Sequence, residues 1–337
     1  MTASIREHFL VLGAGSWGSA LAIYLARKQH QVVLWGHDAA DIKEMEKNRA
    51  NTRFLPGFSF PSTLSLTADL EQAFSTAPVN AKILIVVPSH AFEEVIVRIK
   101  PLIKTNMCIV SATKGLTADG KFLSNISKAH CAHVPYAMLS GPSFAKEVAC
   151  GLPTAVAIAT DTPSYGEELL QAFHSDIFRV YLSHDLIGVQ LGGAVKNVLA
   201  IAVGMSDGLG FGANARAALI TRGFAELCRL GKAFNAQFPT LMGLSGMGDI
   251  VLTCTDNQSR NRRFGLALGE GRSSEDAQTA IGQVVEGKTN AKQVVELARS
   301  MNVEMPICEQ VNAVLHEDIT PQQAVNNLLT RTPKSES

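Results

Sequence analysis

An apolar run, Phe9-Leu10-Val11-Leu12, leads directly into Gly13-Ala14-Gly15-Ser16-Trp17-Gly18, and an alanine-rich segment of helical periodicity follows to about Lys28. Each glycine of this Gly-x-Gly-x-x-Gly spacing has its own task. Gly13 allows the tight strand-to-helix turn, Gly15 lets backbone approach a pyrophosphate, and Gly18 lets the helix sit close on the strand. Unpaired N–H groups at the helix start then face the anion. A second strand at Gln31-Val32-Val33-Leu34-Trp35 supplies the βαβ context that a dinucleotide site requires. The loop alone names no substrate, since a ligand-free strand-to-helix turn uses the same glycines.

A chain of 337 residues, 46% hydrophobic, is about twice the usual domain length, which implies two domains. Thirty basic residues balance thirty acidic ones. No global field therefore draws the chain to nucleic acid or to an anionic membrane, and phosphate recognition has to be local, on a small substrate. Cys108, Cys131, Cys150, Cys228, Cys254 and Cys308 show no C-x-x-C spacing, which argues against a metal site and a disulfide framework and for a reducing cytoplasm. Met1–His8 has no apolar signal region, and no later run approaches the roughly 18 apolar residues of a bilayer span. Neither export nor an integral membrane segment is expected.

Short β-branched runs alternate with helical patterns from residue 8 to about 182, the signature of a mainly parallel sheet covered on both faces. Strands are predicted at 8–13, 31–35, 82–87, 107–112, 136–140, 153–160 and 177–181. From Asp185 the texture becomes alanine- and leucine-rich, with helices predicted at 186–206, 213–235, 239–255, 260–270, 274–281, 288–301, 306–316 and 321–330. The expected organisation is a Rossmann-type α/β domain over 1–184, an all-α domain over 185–331, and a polar tail over 332–337.

The end of the second strand chooses the cofactor. An acid about 20 residues past the glycines reads the 2′-hydroxyl of NAD, and a basic group accommodates the 2′-phosphate of NADP. Here His37 occupies that place and Asp38 follows, so the signal is mixed. Histidine can donate to a phosphate, which favours NADP with NAD as a possible substitute. Further strand ends aim residues at the same sheet edge. Ser111-Ala112-Thr113-Lys114-Gly115 presents Lys114, and Ser140-Gly141-Pro142-Ser143 offers helix-start N–H groups and a hydroxyl to a polar or anionic substrate.

In the second half, Gly192-Gly193-Ala194-Val195-Lys196-Asn197 sets a lysine on a helix face lined by Gly192, Gly193 and Ala200. Two helical glycines cost about 1 kcal/mol each relative to alanine, so something has to come close there, a ligand or a neighbouring element. A partly desolvated Lys196 is a candidate general base. Leu244-Ser245-Gly246-Met247-Gly248-Asp249 delivers a carboxylate, as helix cap or as ligand orienter. Ser259-Arg260-Asn261-Arg262-Arg263 concentrates planar guanidinium groups in a chain of dilute charge, which suits a phosphorylated substrate clamped by Arg260 with Ser259 and Asn261. A salt-bridge network is the competing role for these arginines. Gln283-Val284-Val285-Glu286-Gly287 reads as a short turn whose acid could reach a cofactor ribose or amide.

Together these segments resemble the bacterial-type NAD(P)-dependent sn-glycerol-3-phosphate dehydrogenases, over about residues 8–330. The stretches that carry the resemblance include GAGSWG, ATKGL, SGPSFAKE, GVQLGGAVKNVLAI, GLSGMGDIVLTCTDNQSRNRRFG and QVVEG. The resemblance implies reversible hydride transfer between NAD(P)H with dihydroxyacetone phosphate and NAD(P)+ with sn-glycerol 3-phosphate, in the service of phospholipid synthesis. It implies proton transfer by Lys196, and substrate contacts from Lys114, Gly141, Ser143, Asp249, Ser259, Arg260 and Asn261. It also implies cofactor contacts from Ser16, Trp17, His37, Lys114, Ala145, Arg260, Val284 and Glu286. A keto-acid or 3-hydroxyacid reductase of similar architecture is the alternative. A homodimer is expected from the apolar helical second half.

Overall fold

A computed structural model describes residues 6–332. The first five residues of the N-terminal segment and the tail from 333 onward lie outside the described residues. The chain divides into two compact units. One runs through Gln190 apart from Ala118–Gly120, and the other begins at Leu191 and takes in Ala118–Gly120.

In the first unit the strands are β1 (His8–Leu12), β2 (Gln31–Trp35), β3 (Leu64–Thr67), β4 (Lys82–Ile85), β5 (Cys108–Ser111), β6 (Tyr136–Ser140), β7 (Thr154–Thr160) and β8 (Phe178–Ser183). The helices are α1 (Ser16–Arg27), α2 (Ala39–Asn48), α3 (Leu70–Thr76), α4 (Phe92–Ile99), α5 (Leu123–His130), α6 (Ala145–Cys150) and α7 (Pro163–Phe173). The strands form one sheet in the order β3-β2-β1-β4-β5-β6-β7-β8, parallel except for the antiparallel β6–β7 pair. Leu10 of β1 is in register with Val33 on one side and Ile83 on the other. Strand order reverses between β1 and β4, the switch point outside whose carboxyl ends open α/β sheets bind ligands. Central strands are apolar on both faces because helices cover both. Phe9, Val11, Leu84 and Val110 belong to the core on one side, and Leu10, Leu12, Ile83 and Ile109 to the core on the other.

Strand β3 was not anticipated. Leu64-Ser65-Leu66-Thr67 is a four-residue edge strand with alternating burial, too short for its period of two to stand out after Pro61-Ser62-Thr63. The helix expected to open at Ser89 starts as a 3-10 turn over Ser89–Ala91 before α4.

The second unit is helical: α8 (Leu186–Gly208), whose first turn belongs to the other unit, α9 (Gly212–Ala233), α10 (Phe238–Met242), α11 (Asp249–Thr255), α12 (Arg260–Gly269), α13 (Ser274–Ile281), α14 (Glu286–Ser300), α15 (Pro306–His316) and α16 (Pro321–Leu329). One helix expected over 239–255 is divided by a π-helical turn, Leu244–Gly248, that carries the chain into Asp249. Helix α14 opens at Glu286, earlier than the expected 288, so Glu286 sits in a first helical turn.

Helix α8 corrects the expectation that no run approaches a bilayer span in length and apolarity. Polar Gln190, Lys196 and Asn197 interrupt its apolar run, yet by length and mean hydropathy it could cross a bilayer; 89% of its most apolar window is buried inside the protein. It is a core helix. It is held to α12 by reciprocal glycines four residues apart. A Cβ on Gly204 would lie 2.2 Å from the Arg262 carbonyl oxygen, and one on Gly208 2.3 Å from that of Leu266. From the other side, a Cβ on Gly265 would meet the Ile201 oxygen at 2.2 Å and one on Gly269 the Met205 oxygen at 2.3 Å. Backbone therefore rests on backbone along the crossing.

Candidate active site

The dinucleotide loop of the first unit has the geometry its glycines imply. Gly13 has φ +123°, and a Cβ there would lie 2.6 Å from the Val86 carbonyl oxygen. A Cβ on Gly18 would lie 1.8 Å from the Gly13 oxygen, so the helix start presses on the turn. Gly15 meets nothing within 4 Å, which leaves its backbone open on the side where a pyrophosphate approaches. It is also the N-cap of α1, and no side chain caps that end. Ser16 Oγ donates to the Phe54 carbonyl at 2.7 Å, while Asn51 ties the following loop to the Ala14 carbonyl and to Ser19. The Trp17 indole N–H is buried and hydrogen-bonds to nothing among the described residues, an orphan donor beside the loop. These residues fit a dinucleotide.

His37 and Asp38 follow β2, both exposed. The mixed signal separates in three dimensions. Asp38 is the N-cap of α2, its Oδ1 accepting from the backbone N–H of Ala40 at 2.8 Å and of Asp41 at 3.1 Å. The Asp41 and Ala40 hydrogen bonds hold its carboxyl below the usual range. The acid that might have read a ribose hydroxyl is thus occupied by a helix end, while the exposed His37 imidazole caps no helix among the described residues.

At the carboxyl ends of β5 and β6 the anticipated substrate residues converge on one atom. The Gly141 carbonyl accepts from Lys114 Nζ at 2.8 Å and from Ser143 Oγ at 2.9 Å. Gly141 has φ +145°, and a Cβ there would lie 3.0 Å from Val156 Cα, so only glycine fits the turn. Ala145 opens α6 just beyond, partly buried against the core beneath the sheet.

In the second unit Lys196 and Asp249 come together as a buried pair. Lys196 Nζ donates to Asp249 Oδ1 at 2.9 Å and to Thr253 Oγ1 at 3.2 Å, and Thr253 donates in turn to Asp249 Oδ1 at 3.2 Å. Lys196 is 8% exposed and Asp249 1%. Protein, not ligand, accounts for the glycine beside them. A Cβ on Gly192 would lie 2.2 Å from the Ser245 carbonyl oxygen, because the π-helical turn that delivers Asp249 rests on that face. Thr253 was missed by sequence reasoning, though its position four residues after Asp249 on a helix carried the signal.

The basic cluster divides by role. Ser259 is the N-cap of α12, accepting from the Arg262 N–H at 3.2 Å. Arg262 is structural: its guanidinium donates to the Cys254 carbonyl at 3.0 Å, to Asn257 and to Asp207 at 2.5 Å, and Asp207 also receives Arg216. Arg263 is exposed. Arg260 is half-buried and donates to Gln283 Oε1 at 3.3 Å; burial lowers its guanidinium from the ordinary value, against the raising influence of Glu286. An arginine in such a setting stays charged. Asn261 is buried, with Nδ2 donating to Asn197 Oδ1 at 2.9 Å and Oδ1 accepting from the Gly287 N–H at 2.9 Å. Val284 is 45% exposed, and Glu286 is half-buried at the start of α14. Among the described residues, no group of three His, Cys, Asp or Glu side chains is arranged to hold a metal.

A dinucleotide loop at the switch point of a parallel sheet, followed by a helical unit with a buried lysine–carboxylate pair, defines a nicotinamide-dependent oxidoreductase of two-part architecture. The comparisons make this specific. The N-terminal model of the NAD-dependent glycerol-3-phosphate dehydrogenase family matches residues 9–165, and the C-terminal model matches residues 185–326. The chain belongs to that family. It is 53% identical over 330 residues to a glycerol-3-phosphate dehydrogenase [NAD(P)+] of Shewanella frigidimarina, covering 97% of each chain. It is 55% identical over 329 residues to one of Photobacterium profundum, covering 97% of this chain and 96% of the other. The crystal structure of glycerol-3-phosphate dehydrogenase from Coxiella burnetii superposes with a TM-score of 0.94 at 51% identity, covering 97% and 99%. These relatives give no support to the keto-acid reductase alternative.

Proposed function

We propose that the chain reduces dihydroxyacetone phosphate to sn-glycerol 3-phosphate, reversibly, with NADPH favoured and NADH usable. The observation that carries this reading is the buried Lys196–Asp249–Thr253 constellation in a unit that also presents Arg260 and Asn261. When bound, the nicotinamide supplies or takes the hydride. The Gly13–Gly18 loop and the start of α1 hold the pyrophosphate, with Ser16 and Trp17 beside it. His37 faces the adenosine end, and Ala145, Val284 and Glu286 contribute further cofactor contacts. Lys114, Gly141 and Ser143 orient the substrate, and Lys114 also touches the cofactor. Ser259, Arg260 and Asn261 hold the phosphate, where Arg260 contributes a planar pair of donors.

Lys196 moves the proton. An ammonium has three donors; two are engaged by Asp249 and Thr253, so the third can be given to the carbonyl oxygen during reduction. In the reverse direction the same nitrogen takes the hydroxyl proton, and Asp249 fixes the position of the amine in both.

The same reading includes a biosynthetic role in supplying glycerol 3-phosphate for phospholipids, a cytoplasmic setting supported by six free cysteines, and a homodimer. A steady-state comparison of NADPH with NADH on dihydroxyacetone phosphate tests the reaction. Turnover with a higher kcat/KM for NADPH is expected, and absence of turnover with either cofactor would overturn the reading.

A further inference from the structure

Four buried amides in the second unit form a single hydrogen-bonded chain. Asn261 Nδ2 donates to Asn197 Oδ1 at 2.9 Å, Asn197 Nδ2 to Asn290 Oδ1 at 3.0 Å, and Asn290 Nδ2 to Gln293 Oε1 at 3.0 Å. Their exposures are 9%, 3%, 0% and 1% in that order, so water cannot substitute for a missing link. The direction of the chain is dictated by one backbone group. The Gly287 N–H is an obligate donor and meets Asn261 Oδ1 at 2.9 Å. That fixes the oxygen of Asn261, which turns its NH2 toward Asn197 and makes Asn197 present an oxygen. The same logic passes to Asn290 and ends on the oxygen of Gln293.

Gly287 is also locked in place. A Cβ there would lie 2.8 Å from both the Asn197 carbonyl oxygen and Asn261 Oδ1, and 2.6 Å from Ile201 Cδ1. The chain therefore joins the start of α14, next to Glu286, with Asn261 on α12 and with Asn197, the neighbour of Lys196 on α8. Asn290 and Gln293 stand three residues apart on one face of α14. A packed apolar core would fill this space without demanding any hydrogen bonds.

We propose that Asn290 and Gln293 are positioning residues for the reaction: as the accepting end of an amide chain whose sense Gly287 sets, they hold the Asn197 side chain, and through it that of Asn261, in the position that keeps the second N–H of Asn261 for a substrate oxygen. The proposal rests on the assignment of Asn261 and Lys196 to the substrate.

Asn290→Leu removes the acceptor at nearly constant volume. A protonated aspartic acid, the form favoured by burial, reproduces asparagine there, its carbonyl accepting from Asn197 and its O–H donating to Gln293. Reduction of dihydroxyacetone phosphate is measured per NADPH-binding site, counted by fluorescence titration, well below each protein's Tm. The expected result is that Asn290→Leu lowers kcat/KM for dihydroxyacetone phosphate about tenfold. Asn290→Asp restores it to within about threefold near pH 6 and loses it again as pH rises and the carboxyl ionises. A lower Tm with unchanged kcat/KM per site in Asn290→Leu would assign the chain to stability alone and overturn the proposal. So would an Asn290→Asp protein no better than Asn290→Leu at any pH. Should Asn290→Leu fail to bind NADPH, Gln293→Leu against Gln293→Glu makes the same comparison one link further on. Asn261→Ala separates the two levels. If it keeps wild-type kinetics, the substrate assignment falls and the proposal with it; if it loses activity while Asn290→Leu does not, only the proposal falls.

Discussion

The Lys196 amine and the Asp249 carboxylate, 53 residues apart in the chain, meet at 2.9 Å, and a glycine makes the meeting possible. Any side chain at Gly192 would collide with the carbonyl of Ser245, in the turn from which Asp249 emerges. Gly192→Ala is therefore expected to push that turn away and to lower kcat at least tenfold, with an overpacking cost of about 1–3 kcal/mol. Thermal unfolding and steady-state kinetics of the single variant check both parts. A wild-type kcat would show that the turn relaxes without moving Asp249.

Lys196→Ala should keep NADPH binding and lose most turnover, about 10²–10⁴-fold as expected for a positioned acid–base group. It also leaves Asp249 buried without its cation, which costs about 3–5 kcal/mol. Fluorescence titration with NADPH and single-turnover reduction separate the two effects. Turnover near wild type would remove Lys196 from the chemistry.

Arg260 and Arg262 should respond differently. Arg260→Ala is expected to raise KM for dihydroxyacetone phosphate more than about tenfold with little effect on unphosphorylated dihydroxyacetone, because the lost interaction is with the phosphate. Arg262→Ala should instead lower stability by about 1–3 kcal/mol, since the buried Cys254 carbonyl loses its donor while Asp207 keeps Arg216. Equal effects of Arg260→Ala on both substrates would argue against phosphate recognition at that side chain.

Cofactor preference should follow His37, not Asp38. Asp38→Ala removes the side-chain cap from α2 and should leave the NADPH to NADH ratio of kcat/KM nearly unchanged. His37→Ala should lower that ratio severalfold by weakening NADPH alone. A ratio that moves with Asp38 instead would return the ribose-reading role to the acid.

Glu226 gives the fold a pH dependence of its own. Its buried carboxylate accepts from the backbone N–H of Ile307 at 2.6 Å and of Cys308 at 3.2 Å, at the start of α15. Burial pushes it up from 4.5 to about 7, against the lowering effect of those hydrogen bonds. A raised folded-state value means that the group's stabilising contribution is complete below its unfolded value of 4.5 and is lost as pH climbs toward 7. The loss amounts to about 3 kcal/mol. Urea unfolding midpoints of wild type and Glu226→Gln across this range should diverge as pH rises, with wild type falling relative to the variant. Parallel curves would show that the carboxyl does not titrate in the folded protein.

Much of this was legible because glycine and charge placement speak locally. The Gly13–Gly18 loop, Lys114, Gly141 and Ser143 lie at strand ends, and a strand end can be read from its apolar run and the turn that stops it. What escaped were relationships made by helix packing. The spacing of Thr253 from Asp249 says that those two meet but not that Lys196 joins them, and nothing near Asn290 says that it faces Asn197 across 93 residues. The arginine cluster shows the same limit: Arg260 and Arg262 are indistinguishable as sequence, and only helical phase turns Arg262 inward to Asp207. Strand β3 was lost for want of length. The four-residue spacing of Gly204 with Gly208 and of Gly265 with Gly269 was readable as two small-residue rows, but their mutual contact belongs to the fold.

That glycine contact fixes a length. Lys196 and Arg260 project from two helices whose main chains touch at Gly204, Gly208, Gly265 and Gly269, with no side chain between them at those four points to bend, swap rotamer or be trimmed by drift in sequence. With the roles proposed for Lys196 and Arg260, the spacing of the helices that carry proton donor and phosphate holder is consequently set by backbone contact. On that reading a substrate one carbon longer or shorter meets two helices whose separation cannot adjust, so the crossing of α8 and α12 adds to whatever chain-length discrimination the substrate contacts supply.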